Sequence, residues 1–283
     1  MLTLRSDREI DRMRRPGLAV YYALQIARQM VAPGVTTGAI NEAVADYYRQ
    51  IGGEPLFLDY PHSSPGKPAF SGVICASVNE EVVHGIPGDR ELVEGDVISV
   101  DTGVRIDGWC GDSAVTLPVG QTDPEVQRLL TVTEEVLQLA IKLMGEKELW
   151  SEVAAEMARH VNSAKFYVVE NFVGHGIGRE MHEKPQVPNF VSESLRRHED
   201  FRLEPGLVIA VEPMVNMGTK RVVEMPDHWT QSAADSRPSA HFEHTIAVTE
   251  SGVRVLTSAP SEAEKGQEDM PPDPFSLRGV GKS

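Results

Sequence analysis

The stretch VISVDTGVRIDGWCGDSA, residues 97–114, has the pattern of a β-hairpin. An apolar strand leads into Asp101, and a second carboxylate, Asp112, lies on the returning strand. The Asp107-Gly108 pair between them is a strong turn signal. We expect a four-residue loop ending at Gly108, which would set Asp101 directly opposite Asp112. Because like charges in opposite positions are unfavourable, either these carboxylates point to water or cap turns, or a cation lies between them.

The composition limits the kind of protein that this chain can be. Its 283 residues, 41% of them hydrophobic, suffice for one large domain or two small ones. No apolar run reaches the roughly 18 residues of a membrane span, and the first residues lack the apolar core of a signal peptide. The two cysteines, Cys75 and Cys110, favour a reducing, cytoplasmic setting. The net charge of −15 argues against tight non-specific binding of nucleic acid.

Apolar periodicity predicts an α+β chain with two pairs of helices. We expect helices at 6–31, from about 36 to 52, near 123–144 and near 151–162. We expect strands near 72–78, 96–118, 166–173, 207–215 and 242–249, with a Pro-rich loop at 54–72. The first helix has capping-box spacing at Ser6 and Glu9, and Pro16 is expected to kink or split it. Beyond the last strand the sequence becomes polar, which predicts one domain at 1–258 and a disordered tail at 259–283.

Two internal echoes indicate a duplicated architecture. LVEGDVISVD, residues 92–101, aligns without a gap with LEPGLVIAVE, residues 203–212. The alignment matches Asp101 with Glu212, so each copy ends an apolar strand on a carboxylate. The tripeptide HGI also occurs twice, beginning at His84 and at His175. Both echoes occur in the same order, which favours a pseudo-two-fold domain.

Three further residues place ionisable groups in apolar strand settings. Glu212 interrupts LVIAVEPM, Glu243 opens EHTIAVT, and His175 lies between glycines in FVGHGIG. Each has a simpler explanation, since a Glu can cap a strand end and a Gly-flanked His can occupy a turn. Together with Asp101 and Asp112, however, they would need five separate reasons for buried charge, whereas one metal site explains all five.

The proposed donor set is rich in oxygen, with four carboxylates and one imidazole. It favours Mn²⁺, Fe²⁺, Co²⁺ or Zn²⁺ over a thiolate zinc site. Four negative charges balance two divalent ions, the arrangement of many hydrolytic sites. Such a site also needs hydrogen-bond donors for the oxyanion and the leaving amine, and His84 and His182 are the candidates. We assign the remaining histidines to the core or the surface: His62, His160, His198, His228, His241 and His244.

Five ordered motifs resemble type I methionine aminopeptidases over roughly residues 7–257. They are SVNEEVVHGIPG, DTG with CGDSA, GHGIGREMHEKPQV, VEPMVN and FEHTIAVT. The resemblance implies the α+β pita-bread fold: a curved, mainly antiparallel sheet, two pairs of helices and pseudo-two-fold symmetry. It also implies removal of the initiator methionine from nascent polypeptides when the second residue is small. A cytoplasmic monomer, in transient contact with the ribosome and with neither nucleic acid nor membrane, is the expected setting.

The resemblance implies a role for each candidate residue. Asp112 and Glu243 would bridge two divalent ions, Asp101 would bind one ion, and His175 and Glu212 the other. Glu212 would also handle the proton of the attacking water. His84 would contact the scissile amide nitrogen, and His182 the substrate carbonyl. Four residues would line the methionine pocket: Phe70, Cys75, Met181 and Trp229.

Two departures and two alternatives accompany this hypothesis. Met181 stands where the family usually has phenylalanine, and the loop 59–70 is longer than usual. The same fold serves prolidases and Xaa-Pro aminopeptidases, which usually carry a large N-terminal domain. It also serves non-catalytic binding proteins, which typically lack some of the metal ligands. Because all five ligands occur here, we expect an enzyme.

Overall fold

The computed structural model describes residues 2–267 and 269–275 and confirms the two pairs of helices. The helices are α1 (Asp7–Met30), α2 (Thr37–Gln50), α3 (Pro124–Met144) and α4 (Trp150–Ser163), with a π-helical turn at Leu195–Glu199. The strands of the first half are β1 (Glu54–Pro55), β2 (Cys75–Val78), β3 (Glu81–Val83), β4 (Val97–Ile106) and β5 (Trp109–Pro118). Those that follow are β6 (Tyr167–Val168), β7 (Gly174–Gly176), β8 (Glu183–Val187), β9 (Val208–Val211), β10 (Met214–Asn216), β11 (Val222–Glu224), β12 (Gln231–Ala233), β13 (Ser239–His241), β14 (His244–Thr249) and β15 (Gly252–Val255). All strand pairs among the described residues are antiparallel.

Helix α1 packs across the β4–β5 hairpin and begins as predicted. The Glu9 carboxylate accepts hydrogen bonds from the Ser6 backbone N–H at 2.9 Å and from its hydroxyl at 2.8 Å. The helix does not split at Pro16 but continues from Asp7 to Met30. A side chain at Gly111 would lie 2.8 Å from the Gly17 nitrogen. The helix therefore lies directly against β5, one residue before Asp112.

The β4–β5 hairpin has a two-residue turn. Ile106 pairs with Trp109, so the prediction of a four-residue loop is wrong. Asp107 and Gly108 both have positive φ, 52° and 73°, as a type I′ turn requires. That turn matches the twist of the strands, and it shifts the register by two residues.

In the observed register Asp101 pairs with Ala114 and Asp112 with Gly103. The two carboxylates are thus diagonal neighbours on one face of the hairpin, where long or charged side chains still interact. The two carboxylates are therefore not directly opposite each other, which reduces their repulsion, but both lie on the same face of the hairpin.

The internal echo has a structural counterpart. Gly95 and Gly206 both adopt left-handed φ, 94° and 98°, two residues before β4 and β9. Each of these strands then pairs antiparallel with the inner strand of its half, β4 with β5 and β9 with β14. Only glycine adopts this conformation without strain, which explains why both copies keep it. The predicted pseudo-two-fold organisation is confirmed.

The interior is one main hydrophobic core between the helices and the strands. Its members include Tyr48, Trp150 and Leu129, each with no exposed surface. None of the helices in the described part of the chain is long and apolar enough to cross a membrane.

The predicted disordered tail, 259–283, makes specific contacts wherever the structure describes it. The Arg14 guanidinium, buried in α1, donates to backbone carbonyls just beyond β15 and to the Glu264 carboxylate. The Tyr47 hydroxyl donates to a tail carbonyl at 3.3 Å. The polar composition of the tail could not predict these contacts, because it does not reveal that the buried Arg14 guanidinium needs hydrogen-bond acceptors. Residues 276–283 lie outside the described part, and the domain boundary at 258 stays a prediction.

Candidate metal centre and active site

The five predicted metal ligands line one cavity of about 230 Å³. The cavity is lined by Phe57, Tyr60, Phe70, Cys75, Val83, His84, Asp101, Asp112, Phe172, Val173, His175, Met181, His182, Glu212, Trp229, His241 and Glu243. Small-molecule sites typically measure roughly 300–1,000 Å³. A smaller cavity suits one side chain and the groups around a scissile bond.

The inner strands of the two halves position the five side chains. Asp101 lies within β4, Asp112 within β5 and His175 within β7, whereas Glu212 directly follows β9 and Glu243 directly precedes β14. The Glu243 backbone N–H donates to the Ala114 carbonyl at 2.9 Å and so joins the second half to the first. Residues far apart in sequence thus meet at one junction.

The donor atoms are close enough to share an ion. One donor atom each from Asp112, His175 and Glu243 lie within 4.8 Å of one another. His175 Nε2 lies 3.9 Å from Asp112 Oδ2 and 3.7 Å from Glu212 Oε1. No lysine or arginine is among the described residues that line the cavity. Protein cations therefore do not neutralise the carboxylates here.

Buried carboxylate oxygens without partners indicate that these residues fit a cation. Among the described residues, Asp101 Oδ1, Asp112 Oδ1 and Glu243 Oε1 are buried and accept no hydrogen bond. Unpaired buried charge is costly, and buried carboxylates in proteins pair or bind metals. The chemistry of the donor set and its unmet demand for positive charge both match a divalent metal centre.

Electrostatics lead to the same conclusion. Burial raises the pKa of Asp112 to about 7. Burial, followed by the negative charge of Asp112, raises the pKa values of Asp101, Glu212 and Glu243 well above their usual range. Without a cation these groups would hold protons near neutral pH. A bound cation would displace those protons.

The His175 ring is oriented for ligation. Its Nδ1 is 2.9 Å from the Gly176 carbonyl, so Nδ1 carries the hydrogen of that contact and Nε2 faces the carboxylates with a lone pair. Burial, with a smaller contribution from His182, lowers the pKa of His175 to about 4. A neutral imidazole fixed by its other nitrogen is the usual form of a metal ligand.

The two predicted substrate histidines lie on the same cavity. Burial lowers the pKa of His84 to about 4, and its ring packs edge-on to Phe172 at 5.4 Å. His182 lies at the rim, with its ring 4.4 Å from that of His175. Its Nδ1 is 2.9 Å from the Tyr60 hydroxyl, which leaves Nε2 as the remaining polar atom. Partial desolvation lowers the pKa of His182.

An apolar pocket adjoins the carboxylates, as predicted. Phe57, Phe70, Cys75 and Met181 form one buried cluster, and Trp229 packs on it. The long loop is fastened to this wall: the indole N–H of Trp229 donates to the carbonyl of Pro68 at 2.9 Å. The structure thus brings together all four residues assigned to the methionine pocket: Phe70, Cys75, Met181 and Trp229.

The structure adds cavity residues that the sequence analysis missed. His241, assigned to the core or surface, lines the cavity with Nε2 buried and unpartnered, 3.8 Å from Glu212 Oε2. Its position two residues before Glu243 was an available signal, because alternate residues of an extended strand share a face. Tyr60, Phe57 and Phe172 were not assigned and carried no comparable signal.

Comparisons with known proteins agree with this geometry. The family model for metallopeptidase family M24 matches residues 11–250, and the chain belongs to that family. Methionine aminopeptidase 1 of Bacillus subtilis is 38% identical over 257 residues, covering 91% of this chain and 99% of the relative. The crystal structure of methionine aminopeptidase from Thermotoga maritima is 38% identical with a TM-score of 0.85, covering 92% of this chain and all of that one. Within family M24 the chain therefore groups with the methionine aminopeptidases, as its motifs predicted.

More distant structures share the fold alone. Prolidase from Pyrococcus furiosus is 17% identical with a TM-score of 0.67, and the match covers 92% of this chain and 66% of the prolidase. These neighbours confirm the predicted pita-bread fold.

Proposed function

We propose that this protein is a methionine aminopeptidase that hydrolyses the peptide bond after an N-terminal methionine. The observation that carries the proposal is the junction of a buried carboxylate–histidine cluster with a closed apolar pocket. The pocket suits an unbranched thioether side chain, and the small cavity suits a small second residue. The substrates would be the N-termini of newly made polypeptides.

The metal centre would hold two divalent ions. The ligands would be Asp101, Asp112, His175, Glu212 and Glu243, whose four carboxylates balance four positive charges. This set suits Mn²⁺, Fe²⁺, Co²⁺ or Zn²⁺. When bound, such ions lower the pKa of a water molecule and polarise the substrate carbonyl.

The chain's own residues perform the remaining steps. Glu212 accepts the proton of the attacking water, because its carboxylate lies in the cluster with Oε1 3.7 Å from His175 Nε2. His182 donates a hydrogen bond from Nε2 to the substrate carbonyl as negative charge develops on its oxygen. His84 contacts the scissile nitrogen. The walls of the pocket fix the methionine side chain.

The proposed substrate indicates where in the cell the enzyme would work. Nascent chains place the enzyme in the cytoplasm, in transient contact with the ribosome. We propose a monomer with one catalytic domain at 1–258.

Peptide hydrolysis tests the proposal directly. Met-Ala-Ser, Met-Leu-Ser and Ala-Pro peptides are incubated with the enzyme before chelation, after chelation and after metals are added back. We expect cleavage of Met-Ala-Ser, little cleavage of Met-Leu-Ser, loss with chelator and recovery with divalent metal. Preferential cleavage of the Ala-Pro peptides would assign the enzyme to the prolidase side of the family instead. No metal-dependent cleavage of any peptide would contradict the proposal and favour a binding protein.

A further inference from the structure

A segment before α1 is bound between two loops near the active site. We call residues 4–6 the strap. Its Arg5 backbone N–H donates to the Gly206 carbonyl at 2.7 Å. Its Arg5 guanidinium reaches the Glu183 carboxylate, with Nη2 at 2.7 Å from Oε1 and 2.5 Å from Oε2. The two side chains are only 10% and 18% exposed, so solvent screens this ion pair weakly.

Glu183 connects the strap to the loop that carries His182. We call residues 178–183 the site loop. Glu183 directly follows His182, and its Oε1 also accepts the backbone N–H of Arg179 at 2.8 Å and of Glu180 at 3.2 Å. One carboxylate therefore ties the beginning of the site loop to its end. Arg5 is the cation that faces this carboxylate.

The fit around Arg5 is close on both sides. A side chain at Gly178 would overlap the Arg5 guanidinium, and one at Gly206 would lie 2.8 Å from the Arg5 carbonyl oxygen. The guanidinium groups of Arg5 and Arg179 lie 5.3 and 3.7 Å from the centre of the Trp109 ring. The strap therefore has little room to move without moving the site loop.

The His182 ring has few other restraints. It contacts the Tyr60 hydroxyl and the His175 ring, and it lies at the exposed rim of the cavity. Its placement therefore depends on the backbone of the site loop.

We propose that Arg5 is a positioning residue that acts through Glu183 to hold His182 against the substrate carbonyl. The inference rests on the proposed function, and it adds a residue that does not touch the cavity. The Nη2 nitrogen of Arg5 contacts both carboxylate oxygens of Glu183, and such a charge-assisted pair with little exposure restrains the carboxylate. Losing it would let His182 move by a fraction of an ångström, which suffices to weaken a hydrogen bond made mainly in the transition state.

The decisive test is a double-mutant cycle between Arg5→Ala and His182→Ala. We expect Arg5→Ala to lower kcat for Met-Ala-Ser about tenfold with KM changed less than about threefold. In the His182→Ala background the same substitution should lower kcat less than about twofold, because residues that act through one another are not additive. Arg5→Lys, which keeps one charged hydrogen bond, should recover part of the loss.

The controls separate positioning from folding and from the proposed function. Arg254→Ala removes an ion pair with Asp11 that is 38% and 64% exposed and should leave kcat unchanged. Metal affinity, measured by calorimetry, should be the same in Arg5→Ala and the wild type. Equal losses from Arg5→Ala in both backgrounds, or weakened metal binding, would overturn the inference. If the wild type does not cleave Met-Ala-Ser, the proposed function is wrong. If the wild type cleaves it and Arg5→Ala cleaves it equally well, only the proposed role of Arg5 is wrong.

Discussion

The two halves of the metal centre echo each other in sequence but are built differently. In the first half Asp101 and Asp112 lie on one hairpin closed by a two-residue turn. In the second half Glu212 and Glu243 lie next to β9 and β14, and strands β10–β13 intervene between them. The first half is a compact scaffold, whereas the intervening segment of the second half brings additional side chains to the cavity.

The side chains that the two halves contribute are chemically unequal. The first half contributes only carboxylates to the cluster, whereas the second contributes His175 as well and places His241 beside Glu212. Trp229, a wall of the methionine pocket, also lies in the intervening segment. The comparison indicates that both halves would bind metal and line the substrate pocket, and that the second half also supplies the imidazole of the cluster and the proposed proton acceptor.

Removing the carboxylate at the centre of the cluster should have the largest effect. Asp112→Ala should lower kcat/KM for Met-Ala-Ser by at least about 10⁴-fold, because Asp112 would be a ligand at the centre of the metal site. Metal stoichiometry, measured by elemental analysis after dialysis, should fall with it. The matched control is Asp107→Asn at the exposed turn of the same hairpin, which should retain activity. A fully active Asp112→Ala enzyme would refute the metal centre.

Comparing Asp101→Asn with Glu212→Gln tests whether the halves are unequal. These residues are equivalent in the echo, and both should weaken metal binding. At saturating metal, kcat should fall about 10²-fold for Asp101→Asn and about 10³-fold for Glu212→Gln, since only Glu212 also takes the proton of the attacking water. The measurement is kcat as a function of added metal. Equal kcat values at saturating metal would show that Asp101 and Glu212 have the same role.

A smaller effect should distinguish the two histidines that flank Glu243. His241 Nε2 faces Glu212. His244 does not line the cavity, and its Nδ1 lies 2.9 Å from the Thr257 hydroxyl. We expect His241→Asn to lower kcat/KM about tenfold, because the buried imidazole that lines the cavity beside Glu212 is replaced by a smaller polar group. His244→Asn should lower Tm and leave kcat/KM within about twofold. If kcat/KM is unchanged in His241→Asn, the original assignment of His241 to the core or the surface would stand.

Local patterns predicted the four helices and the central hairpin, but they did not predict the short strands β3, β7, β8, β11, β12, β13 and β15. Capping at Ser6, apolar periodicity and the Gly-Gly stop after α2 act over a few residues, so the helices emerged with nearly correct bounds. The hairpin register was wrong because the length of the turn, not the strand pattern, sets it. The contacts of the tail were missed because the acceptors of Arg14 are far from it in sequence.

The meeting of the five proposed ligands in one cavity was predictable because each places a charge where an apolar strand makes it conspicuous. His241 was missed because its strand, β13, has only three residues, so its spacing to Glu243 was not recognised as a shared strand face. Tyr60 was missed because the conformation of a Pro-rich loop depends on its contacts, here including the bond from Trp229 to Pro68. The role that we propose for Arg5 depends entirely on tertiary structure, since its partner is 178 residues away.

The smallest expected effect is a pH dependence of stability that reverses when metal is bound. In the metal-free protein Asp112 has a pKa of about 7 against a usual value of 3.8, so the folded state binds more protons than the unfolded state between these values. Stability should therefore rise as the pH falls from 8.5 to 6.5, with Tm higher by about 4 °C. Below about pH 6.5 the gain should level off, because His84 and His241, whose pKa values are lowered to about 4 and about 3, stay neutral when folded but take up protons when unfolded.

Bound metal should invert this trend, because it needs the carboxylates without protons. Thermal unfolding with chelator and with added Mn²⁺ at pH 6.5, 7.5 and 8.5 measures both slopes. The rise in Tm caused by metal should be largest at pH 8.5, where no proton competes for the cluster. In Asp112→Asn both the metal-free slope and the metal-induced rise should shrink together. A slope of unchanged size in that variant would show that Asp112 is not among the groups that take up these protons, and the charge balance that we infer between the two halves would then be wrong.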